Sequence, residues 1–365
     1  MMSASLVKSI RYLLFFTLLV VVLYYARPFL IPLSFGALFS MLLLPLSDRL
    51  EQYLGKAFSI LVCILLLIFI ALGIFALIGW QISDIASDAS RMQTQVMRMV
   101  ARAQQQISAV IGISPEEQRE LLQNQQEGSS AGGTQLTSVF GALMSVAANS
   151  LLVLVYIFLF LYTRKRLKIF LLKLTPERHR EEATRTIGEC RKVAQHYLSG
   201  LSMMIVCLWI LYGIGFTIAG VKNALFFAIL CGLLEIIPFI GNLTGTLITS
   251  LMALSQGGGV TILVGVLITY AIVQLFQSYV LEPLVVGSKV NINPLFTIVI
   301  LIAGELLWGI AGMVLAIPLL GIFKIICDHV EPLKPYGYLM GDDGKRNESS
   351  GSERRKHFFR RKSDQ

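Results

Sequence analysis

Apolar residues in this chain come in long blocks separated by short polar breaks, with little of the alternation that a strand would show. The first block runs from Leu13 to Ala26, and the second from Phe29 to Leu46, interrupted by Pro32 and Gly36. Others are Ala57 to Trp80, Val139 to Tyr162, Ser199 to Ala219 and Val260 to Leu281. Two further stretches are apolar at both ends and broken in the middle. Asn223 to Leu254 is interrupted by EIIPFIGN, and Leu295 to Ile326 by AGELLWGIAG. Blocks of about 17 to 25 residues suffice to cross a bilayer as helices. The pattern predicts an all-α polytopic membrane protein with about six to eight transmembrane helices and broken or re-entrant helices in its C-terminal half.

Two amphipathic segments lie between the blocks. Ile82, Ile85, Ala89, Met92, Val96, Met99, Ala103, Ile107 and Val110 recur at alternating three and four spacing, which predicts a helix with one apolar seam. That seam suits either packing on the protein's own second helix or a subunit contact. Ser114, Pro115, Glu116 and Glu117 fit a capping box with proline at the first helical position. Gly128 to Gly133 reads as a linker. Thr175 and Pro176 open a second helix, with a seam at Ala183, Ile187, Cys190, Ala194 and Tyr197, that leads into the fifth apolar block.

Composition agrees with the pattern. Of 365 residues, 55% are hydrophobic and 15% charged, with mean hydropathy +0.70. A soluble domain carries about a quarter charged residues. Charge placement adds an orientation. Residues 163–198 hold ten Lys and Arg against four acids, and the tail ends in RRKHFFRRK, whereas residues 81–138 hold six acids and four bases. Basic loops stay cytoplasmic, so the N-terminus, residues 163–198 and the tail are expected inside, and residues 81–138 outside. This asymmetry accounts for the net charge of +9; the bases are read as topological and lipid-facing, with no nucleic-acid partner. Lys8 and Arg11 ahead of an apolar run mimic a signal peptide, but no small-x-small site follows, and an uncleaved first span is expected.

The implied division is residues 1–80 for three transmembrane helices, 81–138 for an external helical loop, and 139–162 for a fourth span. Residues 163–198 form a basic cytoplasmic segment, 199–330 a core with two broken-helix repeats, and 331–365 a basic tail. Five irregularly spaced cysteines (Cys63, Cys190, Cys207, Cys231, Cys327) read as small apolar side chains. No Walker A sequence, HExxH or GxSxG occurs. His179, His196, His329 and His357 lie outside the apolar spans without ligand spacing. The chain is therefore expected to be neither an enzyme nor a holder of metal or cofactor.

The candidate chemistry lies in the breaks. An acid at mid-membrane is costly and usually faces a cavity or pathway, and broken backbone at that depth is tolerated only inside protein or along water. Glu235, Pro238, Gly241 and Asn242 combine both features. The alternative is a hinge loop at the membrane surface with Glu235 simply wet. The second break holds Glu305, Gly309 and Gly312. Asn223 and Asn293 open the two broken stretches, and each acid follows its asparagine by twelve positions, which suggests a repeat with a period of seventy. Between the breaks, Gln274, Gln277 and Glu282 bring polarity to the end of an apolar span and Pro283 stops it. These residues are the candidates for transport and ion coupling.

The block running from Gln274 through Gln277, Ser278, Tyr279, Glu282, Pro283, Gly287 and Val290 to Pro294 carries a family resemblance. With it go the Gly309 to Gly312 segment, Ala316-Ile317-Pro318, and Ile237, Pro238 and Gly241. Together they resemble the autoinducer-2 exporter family of PerM-like bacterial permeases. The layout of spans resembles it over most of the chain, while the specific motifs lie in the C-terminal half. The basic tail with its two phenylalanines departs from a bare permease end. The resemblance implies a bacterial inner-membrane homo-oligomer. It leaves three readings: a secondary exporter of a small polar solute such as a quorum-sensing signal, coupled to H+ or Na+; a monovalent cation/proton antiporter; and, from the external seam, a non-transporting membrane scaffold.

Overall fold

The computed structural model describes residues 4–87, 134–238, 240–255, 259–286 and 292–341. Most of the amphipathic segment expected to be external, its capping box and linker, and the tail from 342 onward lie outside the described residues. Those that are described form helices joined by short turns, and there is no strand among them.

The N-terminal half contains α1 (Ala4–Tyr25), α2 (Arg27–Leu54), α3 (Lys56–Ser87) and α4 (Thr134–Leu174). Pro28 in the first turn starts α2, where its missing N–H costs nothing. Gly55, at φ 73°, ends it. That backbone region, with ψ at 166°, is open essentially to glycine alone. The α2–α3 turn is tied below by Ser59, whose hydroxyl donates to the Ser47 carbonyl at 2.7 Å. Leu43, Ile60, Cys63, Ile64, Ile157 and Leu161 form the core of this half. Gly36 allows α2 to cross close over Tyr156 of α4. Small residues at such crossings let membrane helices approach closely.

A short 3₁₀ turn (Glu177–His179) leads into α5 (Arg180–Ile218), one continuous helix of 39 residues. The helix expected after Pro176 thus runs unbroken into the fifth apolar block. Then follow α6 (Ala224–Leu234), α7 (Ile240–Ser255), α8 (Gly259–Phe276) with its π-helical extension Gln277–Val286, α9 (Pro294–His329) and α10 (Lys334–Met340). Tyr212, Phe216, Phe227 and Val266 anchor the main core among α5, α6, α7 and α8. The halves meet where Leu38, Ala194 and Leu315 pack together. There Gln195 Nε2 donates to the Met41 carbonyl at 2.7 Å and Trp308 Nε1 to the Leu23 carbonyl at 2.9 Å.

Both broken stretches are helical hairpins. In the first, Gly245 of α7 lies against Cys231 of α6, and Cys231 Sγ is 3.5 Å from Thr249 Oγ1. In the second, the chain reverses at Gly309 (φ 61°, ψ −145°), a conformation essentially confined to glycine. Gly304 and Gly312 then meet backbone to backbone, and Leu301 packs with Met313 and Ala316. Asn293 caps the first arm by accepting from the Leu295 N–H at 3.0 Å, and its own N–H reaches the Met340 carbonyl at 2.9 Å. The start of this hairpin therefore lies against the end of α10.

Among the described residues, five helical stretches are by length and composition alone apolar enough to cross a membrane: Arg27–Leu54, Lys56–Leu77, Glu177–Ile218, Val260–Leu281 and Pro294–His329, the last of which reverses at Gly309. Ile10–Tyr25 and Ala224–Leu234 are shorter apolar helices. Many large apolar side chains face outward, among them Leu13, Phe69, Leu151 and Ile218. Such a surface fits lipid and not water. The chain is an all-α, multi-pass membrane protein.

Candidate functional site

The site begins with the end of α6. Eleven apolar residues carry that helix to Leu234, about 16 Å, roughly half the hydrocarbon thickness. The helix then tightens. Ile236 and Ile237 donate to carbonyls three residues back, and Pro238 has no N–H to continue. The Gly241 N–H picks up the Ile237 carbonyl at 3.0 Å, opening α7. A Cβ at Gly241 would land on the Leu234 backbone, so only glycine fits this reversal. Glu235 therefore sits at the hairpin tip, half-buried, at the end of a core made of apolar side chains.

Facing the tip is the far end of α8. Gln277, only 3% exposed, donates from Nε2 to Glu235 Oε1 at 2.8 Å. Asn242 Nδ2 donates to Gln274 Oε1. Gln277 opens the π-helical stretch, and widened turns of this kind are frequent at functional sites. The Tyr270 hydroxyl stands beside Thr246 and Asn242, and Tyr212 and Tyr270 both lie within electrostatic reach of Glu235. Gln277 Oε1 is buried and accepts no hydrogen bond among the described residues. The result is a polar cluster with one carboxylate, two hydrogen-bonded amide contacts and two phenols, enclosed by an apolar bundle.

Of the residues expected from sequence, Glu235, Asn242, Gln274 and Gln277 come together, and Pro238 and Gly241 shape the turn that holds them. Glu282 and Pro283 fall within the π-helical stretch, and their side chains lie outside the described residues. Gly309 and Gly312 build the second hairpin. Glu305 stands on the first arm of that hairpin, exposed, beside Leu306 at 75% exposure. Sequence reading missed Tyr212, Thr246 and Tyr270. A signal for two of them was present: Asn242, Thr246 and Thr249 are spaced four and three apart, as are Tyr270, Gln274 and Gln277. Each set marks one polar stripe along an apolar helix.

A carboxylate at the tip of a helical hairpin, met by the amide-bearing end of a neighbouring helix inside an apolar bundle, defines a polytopic membrane protein with an internal polar site. Its family follows from sequence. The family described as AI-2E family transporter matches residues 13–331, and the chain belongs to it. Among curated proteins it is similar to "Putative transport protein YrrI" of Bacillus subtilis, 28% identical over 156 residues, covering 43% of this chain and 44% of that protein. It is also similar to "Putative transport protein YueF" of Bacillus subtilis, 26% identical over 193 residues, covering 52% and 51%. A "Putative transport protein" of Borreliella burgdorferi is 29% identical over 180 residues, covering 48% and 49%. The chain thus spans about half the length of the curated relatives it matches.

Proposed function

We propose that this protein is a secondary transporter that exports a small hydrophilic solute, coupled to H+ or Na+, and that Glu235 is its coupling carboxylate. The observation that carries the reading is the Glu235–Gln277 hydrogen bond between a hairpin tip and a π-helical turn, in the core of an apolar bundle. Broken helices that place polar groups at a repeat interface are a recurring design in secondary transporters. An acid in such a setting can take up a proton or cation on one side and release it on the other. Gln274, Asn242 and Tyr270 offer hydrogen bonds to a hydroxylated solute, and the open acceptor on Gln277 offers one more. Membership of the AI-2E transporter family supports a quorum-sensing signal such as autoinducer-2 as the solute class.

In this reading the protein resides in the bacterial inner membrane with both termini cytoplasmic, and each hairpin enters and leaves the bilayer on one side. The protein is a homo-oligomer. Exposed Glu305, flanked by exposed Ile302 and Leu306, supports that assembly. A carboxylate on such a surface is costly against lipid, and a second copy packed over it would remove the cost.

The test is a flux screen on purified protein in sealed vesicles, with imposed pH or Na+ gradients and a panel of polar solutes. Solute movement that follows the gradient supports the exporter. Cation-for-proton exchange without solute makes the protein an antiporter. No flux of any kind overturns transport and leaves the membrane scaffold.

A further inference from the structure

A second feature lies away from the Glu235 cluster, where α2, α4 and α5 diverge. They enclose a cavity of about 420 Å³, a volume typical of small-molecule sites. Its floor is apolar, from Ala37, Met41, Leu44 and Leu161. Its rim is basic. Arg164 is already neutralised, by Asp48 at 2.7 Å and by Glu51. Arg191 stands 3.9 Å from the same Asp48. Lys165 and Lys168 line the cavity, are exposed, and make no ion pair among the described residues. Among the described residues, the rim therefore carries positive charge without an acidic partner. Next to it, Ile169, Phe170 and Leu174 of α4 are exposed, which is the mixture of bases and apolar side chains expected at a headgroup boundary.

We propose that this cavity binds an anionic diacyl phospholipid, its phosphate held by Lys165 and Lys168 and its upper acyl chain laid on the apolar floor. Charge and shape both select that ligand. A free anion would leave the apolar floor unused, and a neutral lipid would leave the lysines unpaired. Basic pockets between membrane helices are known to take acidic headgroups. One wall offers a clean probe. Gly188 of α5 lines the cavity, and a Cβ added there would meet nothing within 4 Å. A larger side chain at this position would intrude on the cavity, and replacing a helical glycine favours the helix.

The experiment is native mass spectrometry of the full chain in mild detergent, titrated with dioleoyl phosphatidylglycerol, with dioleoyl phosphatidylcholine, and with glycerophosphoglycerol or inorganic phosphate as competitors. The parent is expected to retain phosphatidylglycerol over phosphatidylcholine, and neither soluble competitor displaces it. Lys165→Gln with Lys168→Gln should weaken retention by more than tenfold, at about fivefold per lysine. Gly188→Leu should weaken it several-fold without altering the size-exclusion profile or lowering the thermal midpoint. Equal retention of the two lipids, displacement by either soluble anion, or parental retention in either variant overturns the proposal.

Discussion

Gln277 donates to Glu235 across 42 residues of sequence, and that contact fixes how the hairpin tip meets α8. Hydrogen bonds to charged groups contribute about 1.5–3 kcal/mol each, and removing one partner strands the other's polar atoms. Gln277→Leu keeps similar size but takes away the donor. It is expected to destabilise the protein by about 1–3 kcal/mol, read as a lower thermal midpoint in detergent, whereas Glu305→Gln on the exposed arm should leave the midpoint unchanged. Equal midpoints for Gln277→Leu and the parent would show that the contact does not hold the tip. The contrast between the acids was not legible from sequence. Both follow an asparagine by twelve positions in a broken apolar stretch. What separates them is the facing neighbour: α8 brings amides to Glu235, and among the described residues nothing comparable covers Glu305.

At the scale of elements, the two hairpins define the C-terminal half. The first predicts a crosslink. The Gly245 position lies 3.5 Å, Cβ to Cβ, from Cys231, inside the roughly 3.5–4.5 Å spacing of a disulfide. In a continuous helix the two would be fourteen residues apart, about 21 Å. With the other four cysteines removed, Gly245→Cys should form an internal disulfide on mild oxidation, measured as the loss of two thiols to labelling. Two thiols that stay reactive would rule out the reversal. The breaks were readable in advance, because Pro238, Gly241, Gly309 and Gly312 are helix breakers set among residues that otherwise favour a span. The direction taken after each break was not readable. Spanning and re-entrant paths place the same residues in sequence, and they differ in contacts such as Gly304 against Gly312 that only packing creates. The long α5 was readable too, since the seam from Ala183 to Tyr197 is in helical register with the apolar block that follows.

For the molecule as a whole, the basic residues between α4 and α5 set the proposed orientation. Arg178 and Lys222 flank α5 and are both exposed. In a cysteine-free background, Lys222→Cys should react with an impermeant thiol reagent in intact cells, and Arg178→Cys only after the membrane is opened. The reverse pattern would invert the topology. Six to eight spans could be anticipated from hydropathy alone, whereas the joining of the two halves through Leu38, Ala194 and Leu315 could not, because each is one apolar residue among many. The proposed function rests on what this assembly encloses, a carboxylate inside an apolar bundle. The most direct measurement is therefore the pH profile of flux in sealed vesicles for the parent and for Glu235→Gln, which keeps the size and removes the charge. Glu235→Gln is expected to lower flux at least tenfold or to flatten its dependence on pH between about 5.5 and 8.5. A Glu235→Gln protein that transports like the parent across that range would show that the cluster is structural and that the coupling site lies elsewhere.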